Sequence, residues 1–205
     1  MHVCLINGSP HKHGSTATAL AEMIRVLEEE GLTTELFHVG AETVGGCRAC
    51  GFCRRAGRCV TDDCVNRIAE SFARADGLVV ASPVYYASPN ATLLACLDRL
   101  FYSTPFDKRM KVGAAVVSAR RGGLSASFDA LNKYFTISGM PVASGQYWNS
   151  IHGSCAAEAV QDLEGLQSMR TLARHMAFLI KSIALGREAF GLPTPEPRVS
   201  TSFIR

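Results

Sequence analysis

Short apolar runs alternate along this chain with longer amphipathic ones, and that alternation restricts the fold more than any other feature. Val3, Cys4, Leu5 and Ile6 form the first apolar run. It stops abruptly in Asn7-Gly8-Ser9-Pro10-His11-Lys12-His13-Gly14-Ser15-Thr16, and a helical pattern follows with Ala17, Leu20, Ala21, Ile24 and Leu27 on one face. Gly31 ends that helix, and residues 33–39 alternate as a second strand. Residues 45–61 carry cysteines and no periodicity. Asp62 or Asp63 can cap a second helix, with Val65, Ile68, Ala69 and Phe72 on one face. Asp76-Gly77 turns into residues 78–81, a continuous apolar run that suits a strand covered on both faces. Residues 82–89 read as a loop, with Ser88 and Pro89 starting a third helix to about Tyr102. Strand four is expected at 112–118, helix four at 124–137, a weaker strand five at 140–145, a loop at 147–154 and a long C-terminal helix at 156–185. The sum is an α/β chain, a doubly wound five-stranded parallel sheet forming a single domain over 1–205, with a cysteine-rich insertion at 45–61 after strand two.

In such a sheet, ligands sit beyond the carboxyl ends of the strands near the switch point. Three loops meet there: residues 8–15, 82–88 and 118–123. The first places free backbone N–H groups and the positive end of a helix dipole at the sheet edge, which suits an anion. It holds neither G-x-G-x-x-G nor the Gly-Lys-Ser/Thr of a Walker loop. The hydroxyls of Ser9, Ser15, Thr16 and Thr18 stand in their place and suit a terminal monophosphate; the alternative is an ordinary turn capped by Ser15. In the second loop, Tyr85 and Tyr86 follow Pro83 and Val84 and can offer a ring and a hydroxyl to a flat ligand, or pack on neighbouring loops or a partner subunit. In the third, Gly122 and Gly123 allow close backbone approach, and Arg120 or Arg121 could neutralise ligand charge or stay solvated.

Cys47-x2-Cys50-x2-Cys53-x5-Cys59 is the most specific signal in the chain. Glycines at 45, 46, 51 and 57 let the segment turn, so three thiolates can be aimed at one point and a fourth brought back to it. An iron–sulfur cluster, a zinc ion and metal-free thiols all suit four such groups. The last gap departs from the bacterial ferredoxin run and no proline follows. Cys64 is an alternative to Cys59, Cys4 and Cys96 read as core residues, and Cys155 carries no signal. Arginines 48, 54, 55 and 58 crowd the segment and would stabilise thiolates or stand solvated. Eight cysteines and no signal-peptide pattern point to the cytoplasm, where thiols stay reduced. A net charge of +3 with no basic run argues against nucleic acid, and no apolar stretch approaches membrane-spanning length.

The ordered set of motifs resembles the flavodoxin-like NAD(P)H-dependent FMN reductase family, and within it the iron–sulfur flavoprotein branch. The matching pieces are Asn7-Gly8-Ser9-Pro10 with Ser15 and Thr16, the cysteine run followed by Asp62-Asp63, Ser82-Pro83-Val84-Tyr85-Tyr86 with Ser88-Pro89, Asp98-Arg99, and Arg121-Gly122-Gly123. The resemblance implies an FMN whose phosphate is held by Ser9, His11, Ser15, Thr16, Ala17 and Thr18. Its isoalloxazine would lie on Pro83, Val84, Tyr85 and Tyr86, with Arg121 and Gly122 or Gly123 at the other edge. It further implies a 4Fe-4S cluster on Cys47, Cys50, Cys53 and Cys59, and a homodimer or homotetramer. Leu94 stands where a lysine is expected in helix three, and His11, Lys12 and His13 make the first loop unusually basic.

The function expected is an FMN-dependent oxidoreductase. It would pass electrons from NAD(P)H or a reduced carrier through flavin to a small acceptor such as a quinone, with Tyr85 and Arg121 shaping the acceptor pocket and stabilising reduced flavin. The alternatives are a non-enzymatic electron carrier with a ferredoxin-type partner, against which the basic balance argues, and a zinc-stabilised binding domain without flavin.

Overall fold

A computed structural model describes residues 1–203. Parallel strands β1 (His2–Asn7), β2 (Thr33–His38), β3 (Gly77–Tyr85), β5 (Val112–Ala119) and β6 (Ser150–His152) lie in the order β2-β1-β3-β5-β6, and the short β4 (Ser88–Pro89) pairs antiparallel with β3. This is the flavodoxin-like order, with its switch point between β1 and β3. The sheet has six strands because β3 runs past the expected stop at Ala81 and doubles back as a hairpin.

Period two sorts the buried strands onto two faces. Val3, Leu5, Val79 and Val116 face α1 (Ser15–Glu29) and α7 (Leu163–Phe190), joining Leu20, Met23, Met169 and Met176. Cys4, Ile6, Leu78, Val80 and Val117 face α3 (Cys64–Arg74), α4 (Ala91–Ser103) and α5 (Leu124–Ile137), joining Ile68, Phe72, Leu97 and Phe135. Helices on both sides explain why these strands are apolar throughout. Asp63 caps α3 by accepting from the Val65 N–H at 3.0 Å, and Asn90 caps α4 from Thr92 at 2.8 Å. Ser88 and Pro89 therefore belong to the hairpin, one residue ahead of the helix cap.

Two other expectations are corrected. Residues 140–145 form no strand. Only Pro141 O and the Ala143 N–H bond Gly113, at 2.8 Å each, and Pro141 has no N–H to extend the ladder. The chain then loops out and returns at β6, within the segment read as a loop, so the edge of the sheet is paired in two pieces. The helix at 156–185 is broken into α6 (Ala156–Ala159) and α7, which continues to Phe190. Asp162 makes the break: its carboxylate accepts from the Gly165 N–H at 2.9 Å and from the His152 N–H at 2.6 Å. The cysteine segment contains one helical turn, α2 (Cys53–Ala56), ended by Gly57 at φ +66°.

Candidate functional site

A cavity of about 730 Å³ opens at the carboxyl ends of β1, β3 and β5. Its floor is the loop from Ser9 to Thr16. The Ser9 N–H donates to Asn7 Oδ1 at 2.9 Å, and the His11 N–H donates to Ser9 Oγ at 3.1 Å. Asn90 Nδ2 donates to Gly8 O at 2.8 Å, and His38 Nε2 bonds Ser9 O at 2.6 Å. Since a carbonyl only accepts, Nε2 carries the proton. These bonds fix the loop internally and to Asn7, His38 and Asn90. α1 starts at Gly14 with no side-chain cap, so its first-turn N–H groups stay available to an anion. Ser15 is not that cap: its hydroxyl donates to Gly153 O at 2.9 Å. Thr16 Oγ1 and Ser118 Oγ share a buried hydrogen bond of 2.7 Å. These two hydroxyls stitch the first loop to the ends of β5 and β6. Pro83, Val84 and Tyr85 line the same cavity, together with Ser118, Ala119 and Arg120.

A second cavity, of about 200 Å³, is lined by Cys47, Cys50, Cys53 and Cys59, with Arg48, Arg54, Arg99 and Tyr102 around them. Cys47 and Cys50 are exposed, Cys53 and Cys59 half-buried, and all eight cysteines are free thiols. Among the described residues no three His, Cys, Asp or Glu side chains converge as a single metal ion requires. Cys64 is buried in the core and does not reach this cavity. Burial raises the Cys64 thiol pKa and pushes those of Cys4 and Cys96 up to about 12, so all three behave as small apolar residues. Arg99, on α4, reaches the segment. It pairs both oxygens of Asp63, at 2.7 and 2.9 Å, and its Nε donates to Cys59 Sγ at 3.3 Å. Asn66 completes the support, accepting from the Cys59 N–H at 3.0 Å and donating to Cys59 O and Thr61 O at 3.2 Å each.

Residues 1–154 match the NADPH-dependent FMN reductase family. The chain belongs to that family. Among its relatives, an iron-sulfur flavoprotein of Methanocaldococcus jannaschii is 30% identical over 194 residues, covering 89% of this chain and 99% of the relative. An iron-sulfur flavoprotein of Methanosarcina thermophila is 31% identical over 198 residues, covering 92% of this chain and all of the relative. The solved NAD(P)H:quinone oxidoreductase of Methanothermobacter marburgensis is 17% identical, with a TM-score of 0.65 over 86% of this chain and 96% of its own. That likeness extends to the fold.

Within this reductase-family fold, Ser9, His11, Ser15, Thr16, Pro83, Val84 and Tyr85 line the larger cavity together. Ala17, Thr18, Tyr86, Arg121, Gly122 and Gly123 do not. Thr18 Oγ1 is turned onto Gly14 O at 3.3 Å. Tyr86 sits at the hairpin tip with 105% relative exposure. Gly123, at φ +87°, turns the chain into α5 and lies directly against Val84 and Ala87, supporting the second loop from outside the cavity. The arginine on the wall is Arg120 instead of its neighbour. Ser118, at the start of the third loop, lines the cavity too, and so does the segment Gly153, Ser154, Cys155 and Ala156, which the sequence reading missed. Its small residues follow a strand, as those after β1 do, but a strand of three residues is too short to announce itself.

Proposed function

We propose that this chain is an FMN-dependent oxidoreductase with the larger cavity as its flavin site. The carrying observation is the uncapped N-terminus of α1, which shares one cavity with Ser9, His11 and Ser15 and with Pro83, Val84 and Tyr85. The first group suits the phosphate, the second the flat ring, and together they fit FMN better than a dinucleotide. Bound FMN supplies two-electron chemistry, taking up a hydride from NAD(P)H and releasing electrons to a small acceptor such as a quinone. The protein's share is orientation and charge. First-turn N–H groups, with Ala17 and Thr18 behind the wall residues, anchor the phosphate end. Tyr85 and Arg120, with Arg121 beside it, shape the acceptor side and favour negative charge there. Gly123 backs Val84 from outside the cavity, and Tyr86 and Gly122 lie beyond its lining.

The reading includes a 4Fe-4S cluster on Cys47, Cys50, Cys53 and Cys59. Four thiols around one cavity that do not meet at a point suit a group with dimensions of its own better than a zinc ion. The names of the relatives support it. A second reading, an electron carrier serving a ferredoxin-type partner, is favoured by the exposure of Cys47 and Cys50, which leaves the cavity's thiols at the surface. The proposal further takes the chain as one flavodoxin-like unit over 1–205, cytoplasmic, and assembled as a homodimer or homotetramer.

The anaerobic visible spectrum of the purified protein tests both cofactors. Flavin bands with a broad iron–sulfur shoulder are expected. Ser15→Ala combined with Thr16→Ala, which cuts the loop's bonds to Gly153 and Ser118, should lower FMN affinity about tenfold or more through the loosened loop while the circular dichroism stays unchanged, each lost bond costing on the order of 1 kcal/mol. Wild-type protein that cannot be reconstituted with FMN would overturn the flavin reading. Rapid oxidation of NADPH, set against reduction by ferredoxin alone, separates the enzyme from the carrier.

A further inference from the structure

Among the described residues Arg99 is the one buried charged side chain, at 3% exposure. A guanidinium has five N–H donors, and here five acceptors meet them. Nε donates to Cys59 Sγ at 3.3 Å. Nη1 donates to Asp63 Oδ2 at 2.7 Å and to Gly45 O at 3.3 Å. Nη2 donates to Asp63 Oδ1 at 2.9 Å and to Thr61 O at 3.2 Å. One side chain therefore holds the first residue of the cysteine segment, its last residue, one of its four thiols, and the cap of α3.

A neutral side chain of similar length could pack in this place, so the cation calls for a reason beyond packing. The carboxylate of Asp63 accounts for one face of the fork. The Nε edge is turned to the sulfur. A four-thiolate iron–sulfur group is anionic and becomes more so on reduction, and N–H···S bonds and nearby cations raise its potential.

We propose that Arg99 is the positioning residue of the cysteine cavity, fixing Cys59 and both ends of the segment for a thiolate-held cluster and favouring the cluster's reduced form. The inference rests on the cluster reading above. It separates Arg99 from Arg48 and Arg54, which line the same cavity as surface residues.

The test uses the full chain reconstituted anaerobically with ferrous iron and sulfide, in wild type, Arg99→Lys, Arg99→Gln, and Arg99→Gln combined with Asp63→Asn. The double variant removes the unpaired carboxylate that R99Q alone would bury and keeps a good helix cap, so folding is preserved. R99Q and the double variant should retain about tenfold less iron after gel filtration, in the range typical for lost outer-shell support. Their residual cluster should titrate at a more negative midpoint potential. R99K, which keeps the charge and loses the fork, should fall between them and wild type. In apo-protein, amide exchange over 45–61 should accelerate in R99Q while the β1 and β3 amides stay protected. Wild-type iron content, potential and exchange in the double variant would overturn the proposal. A wild-type chain that takes up no iron overturns the cluster reading and the sulfur role with it, and the exchange comparison then still decides whether Arg99 clamps the segment.

Discussion

Gly40 is the residue on which the first loop depends most. A methyl group there would stand 2.1 Å from the backbone C and O of Ser9 and 2.4 Å from Gly8 O. The chain leaving β2 is thus pressed backbone to backbone against the loop that forms the cavity floor, and the Gly40 N–H donates to Asn7 O at 3.3 Å. Because the neighbouring atoms are main chain, they have no rotamer to yield. Gly40→Ala is expected to destabilise the protein by about 3 kcal/mol, at the upper end for a single buried clash. It should weaken FMN binding more than a core substitution of equal cost. Paired thermal melts with and without FMN check it: a flavin-induced rise in Tm equal to that of wild type would sink the idea. No local pattern announces this contact, since Gly40 follows a strand like any turn glycine and Ser9 lies about thirty residues away.

At the scale of elements, the β3–β4 hairpin shows where local reading fails. Tyr85 pairs with Ser88, leaving Tyr86 and Ala87 as a two-residue turn at φ +51° and +58°. Both values belong to a type I′ turn, which normally carries Asn-Gly. Without those residues the segment announces a loop, and pairing with β3 becomes visible only once the chain is folded. Left-handed backbone costs about 1–2 kcal/mol at a residue with a Cβ. Ala87→Gly is therefore expected to raise stability by about 1 kcal/mol, read as a higher urea midpoint at constant m-value. An unchanged or lower midpoint would show that the turn holds no such strain. Helix boundaries were more legible. Asp63 is a strong cap, and Gly139, at φ +67°, follows α5; the start of α4 was read early, at Ser88 and Pro89, because its cap Asn90 stands behind the hairpin they form. The break before α7 was hidden because Asp162 caps it through a long-range bond as well as a local one.

For the molecule as a whole, α7 closes one face of the sheet by packing on α1. Its register is set at two points: Arg170 Nη1 donates to Glu22 Oε1 at 2.7 Å and Lys181 Nζ to Glu30 Oε2 at 2.9 Å. The Glu22 carboxyl is held below its ordinary value of 4.5 by its hydrogen bond to Arg25 first and by Arg170 after, while burial pulls the other way. A depressed folded pKa contributes stability above the unfolded value, and that contribution is lost as pH falls through the folded one. Glu22→Gln should thus cost about 0.5–1 kcal/mol at pH 7, and its gap from wild type should close progressively below about pH 4.5. Chemical denaturation at pH 7 and pH 3 checks it; a gap that persists in acid would assign the loss to packing.

The sequence by itself determined the alternation of the four longer strands with the helices as far as α5, the three apolar strands of the sheet's centre, the loops at their carboxyl ends and the spacing of the four cysteines. All of these are written in neighbours or near neighbours along the chain, where period, capping and turn chemistry act directly. Only the tertiary structure decided that Gly153 meets Ser15, that Thr16 bonds Ser118, that Arg120 and not Arg121 faces the cavity, and that Arg99 reaches Cys59. Each of these turns on strand register and on side-chain direction between segments that only the folded sheet brings together. A shift of one residue points a side chain to the opposite face, and no local pattern records which register the fold selects.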